Sequence, residues 1–405
     1  GICIIATIAF IFRFKQGLTP SPLRIIFMLL SVLLVILAFF KVDAFAPGRT
    51  PSWHFKVHGR KNLLVCQFAS ALYEKSEPST GVLKDGVGDI VERFDTFILD
   101  MWGVMHDGSR PYKGVLDVVK RLREQDKKLI ILSNSSKRKE NSIKMLKKLG
   151  FDPDDFDDII TSGEVAYQML SGELDLWNVL KNGKSGVSNK KVFVFGSGDD
   201  DGVYCESCGW KLASIEEANL IIARGTFTIN DGSAVVNKEE NAELYESELE
   251  TKLHQAALRR VPMLVTNPDK VRPDVGRPPM PGKIGDRYEE ILRESSSSID
   301  CKALVKRVGK PFTDVYDIAL RNVMDRNRVC MVGDALETDI VGAAASGISS
   351  VWILLDGVYG PDLKGDEGNL IASAQRITAE FNEKTGTYAG DQRVSPDIIL
   401  HHFRW

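Results

Sequence analysis

From Phe94 onward, short apolar runs alternate with amphipathic stretches, the pattern imposed by a parallel sheet covered on both faces. "FDTFILD" reads as a buried strand that stops on Asp100. In "GVLDVVKRLREQ", Val115, Val118, Val119 and Leu122 recur at helical spacing and share one face. "KKLIILSNSS" is a second strand, apolar enough to be buried on both sides. "KENSIKMLKKLG" follows as a helix closed by Gly150, and "DDIITSGE" is a third strand, so the folded part opens as βαβαβ.

Beyond that point the register changes. "KVFVFGSGDDDG", "ANLIIARGTFTIND" and "VPMLVTNPDK" predict further strand-and-turn units joined by a helix across "NAELYESELETKLHQAALRR", enough for a second α/β unit inserted into the first. "RESSSSID" has the composition of a hinge back. The first pattern then resumes with "CKALVKRVGKPFTDVYDIALRN" and runs through "RVCMVGDALETDIVGAAASGISSVWILLDG" as strand, loop, helix and strand. "SPDIILHHFRW" predicts a closing strand and helix, whose adjacent His401 and His402 do not face one metal. The expected fold is α/β, a doubly wound parallel sheet over residues 86–165 and 300–405 with an α/β cap inserted at 166–299.

The first 85 residues follow another pattern. "RIIFMLLSVLLVILAFF", Arg24 to Phe40, is shorter than the roughly 20 residues of a membrane span but suits the core of a signal peptide. Val42 and Ala44 supply small residues for cleavage after Ala44, which gives a leader of residues 1–44. From there to residue 85 the chain begins basic, with Arg49, Lys56, Arg60 and Lys61 ahead of Glu74, as transit peptides do. With "AFAP" at the junction, the whole resembles the bipartite leader of plastid proteins in algae with complex plastids. The competing expectation is a secretory signal or a retained membrane anchor. The opening Gly1 points to a fragment, or to a start at Met28.

Composition narrows the chemistry. The chain has 405 residues, 43% of them hydrophobic and 26% charged, and its 52 basic against 55 acidic residues give a net charge of −3. That balance offers no electrostatic reason for a nucleic-acid partner and favours small ligands. No stable membrane association is expected once the leader is removed, and a homo-oligomer is left open. Six cysteines in so long a chain are not a disulfide scaffold. Cys205 and Cys208 are a close pair, but no second pair stands at metal-ligand spacing, and the structural reading is preferred.

Ligands of such sheets bind beyond the carboxyl ends of the strands, where residues far apart in sequence converge. Asp100 follows "TFIL", Ser133 follows "LIIL" and Asp334 follows "CMVG", while Lys310 sits in "VGKPFTD". Together they make a set for phosphoryl transfer. A carboxylate attacks phosphorus, and a lysine, a hydroxyl and backbone N–H groups neutralise the transferring charge. Asp100, Asp334 and a backbone carbonyl near Trp102 suit magnesium, with Asp339 in support.

"ILDMWG", "ILSNSS", "GKP" and "VGDALETD" stand in the order and approximate spacing of the four motifs of the haloacid dehalogenase-like hydrolases, which the chain resembles over about residues 92–360. The insertion lies where members with a large α/β cap carry theirs, and "TSGEVAYQML" and "TNPDK" resemble that subfamily of phosphoglycolate, pyridoxal-phosphate and nucleotide phosphatases. The resemblance implies a Rossmann-like core and Mg2+ as cofactor. It makes Asp100 the nucleophile, Ser133, its neighbour Asn134 and Lys310 the phosphate binders, and Asp334 a metal ligand supported by Asp339. Carbon–halogen cleavage fits less well, since members that perform it do not require the magnesium aspartates. No glycine-rich loop of the kinase type occurs.

One position departs from the family's Asp-x-Asp-Gly. Trp102 stands where the second aspartate would protonate the leaving oxygen and then deprotonate water, a role worth typically about 10²–10⁴ in rate. Indole can do neither, although the backbone carbonyl of Trp102 can still face a metal. Three outcomes are open: restriction to good leaving groups such as acyl phosphates, a stand-in, or binding without hydrolysis. His106, titrating near neutrality when unperturbed, is the expected stand-in, with Asp107 beside it. Trp102 itself reads either as a platform under the cap or as core packing. In the cap, Lys270, Arg272 and Lys283 are expected to meet an anionic ligand. The expected function is a magnesium-dependent phosphatase of a small phosphorylated metabolite, the alternative a weakly active or non-catalytic binder of one.

Overall fold

A computed structural model describes residues 81–405 apart from 182–189, 199, 273–275, 277, 297, 364–368 and 385–393. The leader and transit-like segments expected from sequence lie outside the described residues. Among the described residues no helix is long and apolar enough to cross a membrane.

The chain forms four strands first, β1 (Val82–Lys84), β2 (Thr96–Leu99), β3 (Lys128–Ser133) and β4 (Asp158–Thr161). Seven belong to the insertion: β5 (Lys191–Gly196), β6 (Lys211–Leu212), β7 (Leu220–Ala223), β8 (Thr228–Asn230), β9 (Val235–Asn237), β10 (Met263–Val265) and β11 (Val305–Arg307). Three more return to the first sheet, β12 (Val329–Gly333), β13 (Ser349–Ile353) and β14 (Ile398–Leu400). The first sheet has the order β1-β14-β13-β12-β2-β3-β4, and every pair in it is parallel. Its central strands are buried on both faces, which is why they read as unbroken apolar runs. The doubly wound α/β fold predicted from the alternation is the one observed.

The helices obey their periodicity. Val115, Val118, Val119 and Leu122 are all buried on the helix Val115–Glu124. The helix Lys139–Lys148 ends just ahead of Gly150, whose φ of +88° lets its N–H turn back to the Lys147 carbonyl.

The second sheet runs β11-β10-β7-β5-β8-β9, with β6 on β5, and its β5–β8 and β8–β9 pairs are antiparallel. It keeps β11, so "CKALVKR" still belongs to the inserted sheet and the first pattern resumes only after Arg307, past the expected boundary at 299. The cause is the short strand Val305–Arg307, which adds in parallel to the edge of β10. The tail gives the expected strand β14, but residues 401–405 after it are irregular and no helix closes the core there. One apolar cluster takes in Ile98, Ile130 and Leu132 of the first sheet with Val192, Leu220 and Ile222 of the second. The seam between the sheets is therefore packed, and a cavity opens beside it.

Candidate active site

β2 carries Thr96–Leu99 through the core and releases Asp100 at its end, where the Asp100 N–H still donates to the Val332 carbonyl of β12 at 2.9 Å. Side by side in the sheet, β2, β3 and β12 deliver Asp100, Ser133 and Asp334 to one edge. Lys310 enters from the loop that leaves the inserted sheet. Its Nζ lies 2.6 Å from Asp100 Oδ1 and 2.7 Å from Asp339 Oδ1, so one buried ammonium bridges two carboxylates.

Backbone contacts fix the acids. Asp339 Oδ2 accepts from the N–H groups of Asp334 and Ala335, both at 3.1 Å, and Asp334 Oδ2 accepts from Val358 N–H at 2.8 Å. Asp334 also holds Trp352, whose indole N–H donates to its carbonyl at 2.9 Å. Gly103, at φ +90°, passes so close that a Cβ there would come within 2.2 Å of Asp334 Oδ2. The backbone after Trp102 is thereby pressed against the acid cluster, and only glycine fits.

The electrostatics are unbalanced. Ligand oxygens of Asp100, Asp334 and Asp339 lie within 4.8 Å of one another, all buried. With all three ionised, the one positive charge of Lys310 would leave two negative charges in excess. Burial pushes the Asp100 carboxyl up to about 6 against the pull of Lys310, and burial together with the charge of Asp100 raises Asp334 well above the carboxylate range. Burial works against the Lys310 ammonium, but Asp100 and Asp339 outweigh it and hold it charged. A divalent cation with oxygen ligands would remove the excess, and the donor set is of the hard, all-oxygen kind that suits magnesium.

Above this floor lies a cavity of about 740 Å³, lined among others by Ser133, Asn134, Lys137, Arg224 and Asp269. Residues 97–211 match the family model of the haloacid dehalogenase-like hydrolases and residues 307–374 that of HAD-hydrolase-like proteins. Asp100 and Ser133 fall in the first range, Lys310, Asp334 and Asp339 in the second. The two matched segments, which carry all four motifs, are thus similar to haloacid dehalogenase-like hydrolases. It is 27% identical over 278 residues to a 4-nitrophenylphosphatase of Schizosaccharomyces pombe, covering 67% of this chain and 86% of that protein. With phosphoglycolate phosphatase 2 of Arabidopsis thaliana the identity is 25% over 322 residues, covering 73% and 92%. A possible sugar phosphatase from Cytophaga hutchinsonii shares the fold with a TM-score of 0.54 at 18% identity, over 80% of this chain and 99% of that one. A hydrolase of the family from Brucella suis superposes with a TM-score of 0.53 at 21% identity, over 68% and 91%.

Within this hydrolase several expected residues take other places. His106 is buried, accepts a hydrogen bond from Gly108 N–H on Nδ1 at 2.9 Å, and is not among the residues that line the cavity. Burial, only partly offset by Asp107, lowers its pKa, so it holds a proton less readily. Asp107 is spent on a turn, where it accepts from Ser109 and Arg110 N–H, both at 2.9 Å. Neither stands in at the cavity for the missing acid. Lys283 is exposed on the helix Pro281–Ser295, away from the cavity wall that Lys270 and Arg272 do join. Lys270 is paired with Asp286 at 2.9 Å.

Asn134 lines the cavity, but its side chain acts as a strut. Its Oδ1 accepts from Lys310 N–H at 2.7 Å, while its Nδ2 donates to the Lys310 carbonyl at 3.0 Å and to Asp269 Oδ1 at 2.8 Å. Trp102 is no core residue: it is 38% exposed and lines the cavity, as a platform would. Cys205 and Cys208 are buried free thiols, pushed up by burial, and among the described residues they belong to no metal cluster.

Sequence reasoning passed over Asp269 and Arg224. Arg224 directly follows β7 and is wholly buried, paired with Asp201 and stacked 4.0 Å over the Tyr204 ring. The strand-end logic that found Asp100, applied to the second sheet, points to it. Its neighbour Asp200 binds Lys137 at 2.6 Å, which ties the inserted sheet to the loop after Ser133.

Proposed function

We propose that this hydrolase is a magnesium-dependent phosphatase of a small phosphorylated metabolite, working through an aspartyl-phosphate on Asp100. The observation that carries the reading is the floor: a buried carboxylate at a strand end, 2.6 Å from a buried ammonium, beside two further acids and under a cavity. The named relatives are phosphatases, which supports the same reaction class.

Asp100 Oδ would attack phosphorus in line, and the ester P–O bond would break with its electron pair leaving on the oxygen. Lys310 and the Ser133 hydroxyl face the transferring phosphoryl oxygens, and Asn134 holds the Lys310 backbone in place. Asp100, Asp334 and the Trp102 carbonyl would hold magnesium with Asp339 behind them. When bound, the ion supplies charge neutralisation for the phosphoryl group. Water then cleaves the acyl phosphate and regenerates the Asp100 carboxylate.

Phosphate release should be measured with magnesium over phosphomonoesters and acyl phosphates, with Asp100→Asn as the blank. Release that disappears in the variant, by roughly 10⁴-fold or more as when other enzyme nucleophiles are removed, supports the reading. A folded protein that binds magnesium and phosphate yet releases none from any substrate is a binder instead. The leader pattern supports delivery to a plastid, which N-terminal sequencing of the mature protein would test: a terminus that retains residues 1–44 would reject it.

A further inference from the structure

Large apolar side chains left in water are ordinary singly, but a convergent set marks a binding surface. Trp102, Phe227 and Val271 are 38%, 39% and 38% exposed, and all three line the cavity above Asp100. They come from the turn after β2, the β7–β8 loop and the segment after β10. Tyr359 and Met280 join the same wall. Such a wall gains little from hydroxyls and much from a flat hydrocarbon face.

The indole is held in position. Trp102 forms a backbone bridge with His106, whose ring lies 6.2 Å away at 41°. Gly108 sits beneath it at φ +93°, where a Cβ would come within 3.1 Å of Trp102 Cζ2. The Arg272 guanidinium stands 6.0 Å from the ring centroid. The indole is therefore braced and partly exposed, two residues from the nucleophile.

We propose, resting on the phosphatase reading above, that the cavity selects aryl phosphates, whose ring lies against Trp102 and departs as its phenolate without being protonated. A phenolate is a far weaker base than an alkoxide, so the loss of a proton donor at position 102 matters least for this substrate class. In the first half-reaction the Asp100 carboxylate bonds to phosphorus and the aryl P–O bond breaks, its electron pair leaving on the phenolate. In the second, water bonds to phosphorus and the acyl P–O bond breaks. Asp100 returns as a carboxylate, and both protons of water end on inorganic phosphate. Nothing about the leaving group helps that second step, and Trp102 cannot take the proton. Phosphorylated Asp100 accumulates, because the second step lacks a base worth about 10²–10⁴.

The full-length protein with magnesium would be titrated with phenylphosphonate and ethylphosphonate by calorimetry and tryptophan fluorescence, then mixed rapidly with 4-nitrophenyl phosphate. Phenylphosphonate is expected to bind roughly tenfold more tightly, with the preference lost in Trp102→Ala. The rapid reaction should give a burst approaching one 4-nitrophenolate per chain, followed by a slow rate common to aryl phosphates of differing leaving group. In Trp102→Asp the burst should disappear and alkyl phosphates become substrates. Two phosphonates that bind equally well would overturn the inference while leaving the phosphatase reading intact. A linear time course without a burst would likewise overturn it. Neither phosphonate binding, with no phosphate released from any ester, would overturn the phosphatase reading and this inference with it.

Discussion

The floor of the cavity is made of charges taken out of water, whereas its wall is made of apolar rings left in it. On the floor, Asp100, Asp334, Asp339 and Lys310 are at most 8% exposed, and each is tied to backbone or to another charge. On the wall, Trp102 and Phe227 are more than a third exposed and held by packing. Buried charge is costly unless paired and hydrogen-bonded, so the floor has almost no freedom to vary. Exposed rings carry no such constraint. Under the proposed function, the floor would fix which bond is broken, and the wall which molecule is brought to it.

The comparison breaks most readily at Lys310. Lys310→Met removes the ammonium shared by Asp100 and Asp339 and leaves both carboxylates buried without a counter-charge. Stability should fall by about 3–5 kcal/mol, and magnesium should restore more of it than it adds to the parent. Phosphate release should drop by roughly 10²–10³ on every substrate alike. Thermal unfolding with and without magnesium, beside rates on the substrate panel, checks both. A loss confined to some substrates would place Lys310 on the wall side of the comparison.

Phe227→Ala tests the other side. It should raise KM for an aryl phosphate by roughly threefold to tenfold, leave kcat within about twofold, and leave alkyl phosphates unaffected. Steady-state kinetics on a matched pair of substrates decide it. A fall in kcat of the same size on both members would show that Phe227 shapes the floor.

The floor was legible in the sequence because each acid comes directly after an apolar run, and parallel strands carry the residues at their carboxyl ends to one edge. Asp100, Ser133 and Asp334 were found that way, whereas Lys310 was read from "VGKPFTD" and Asp339 from its place five residues after Asp334. The wall was not legible, since Phe227 and Val271 lie in loops whose positions depend on how the second sheet packs, and no local pattern encodes that. His106 illustrates the gap. It stands only four positions after Trp102 in the chain, but the turn that presents the indole to the cavity puts the imidazole behind it. The domain boundary slipped for a related reason, as β11 is too short to declare which sheet it completes.

Asp269 stands where floor and wall meet, and it offers the smallest but most specific test. Burial pushes its carboxyl up to about 7, against the pull of the Asn134 amide and of Lys310. In the folded chain it therefore keeps its proton to near neutrality, while in the unfolded chain it loses it near its ordinary value of 3.8. Between those two values the folded state binds more protons than the unfolded, so this carboxyl's contribution to stability declines as pH rises from about 4 to about 7 and is constant above. Asp269→Asn keeps an acceptor for Asn134 and removes the titration. Relative to the parent, its Tm should rise with pH by about 2–4 °C between pH 5 and pH 8 and then level. An unchanged difference across that range would mean that Asp269 is already ionised at pH 5, so that the excess negative charge of the floor extends up to the cap.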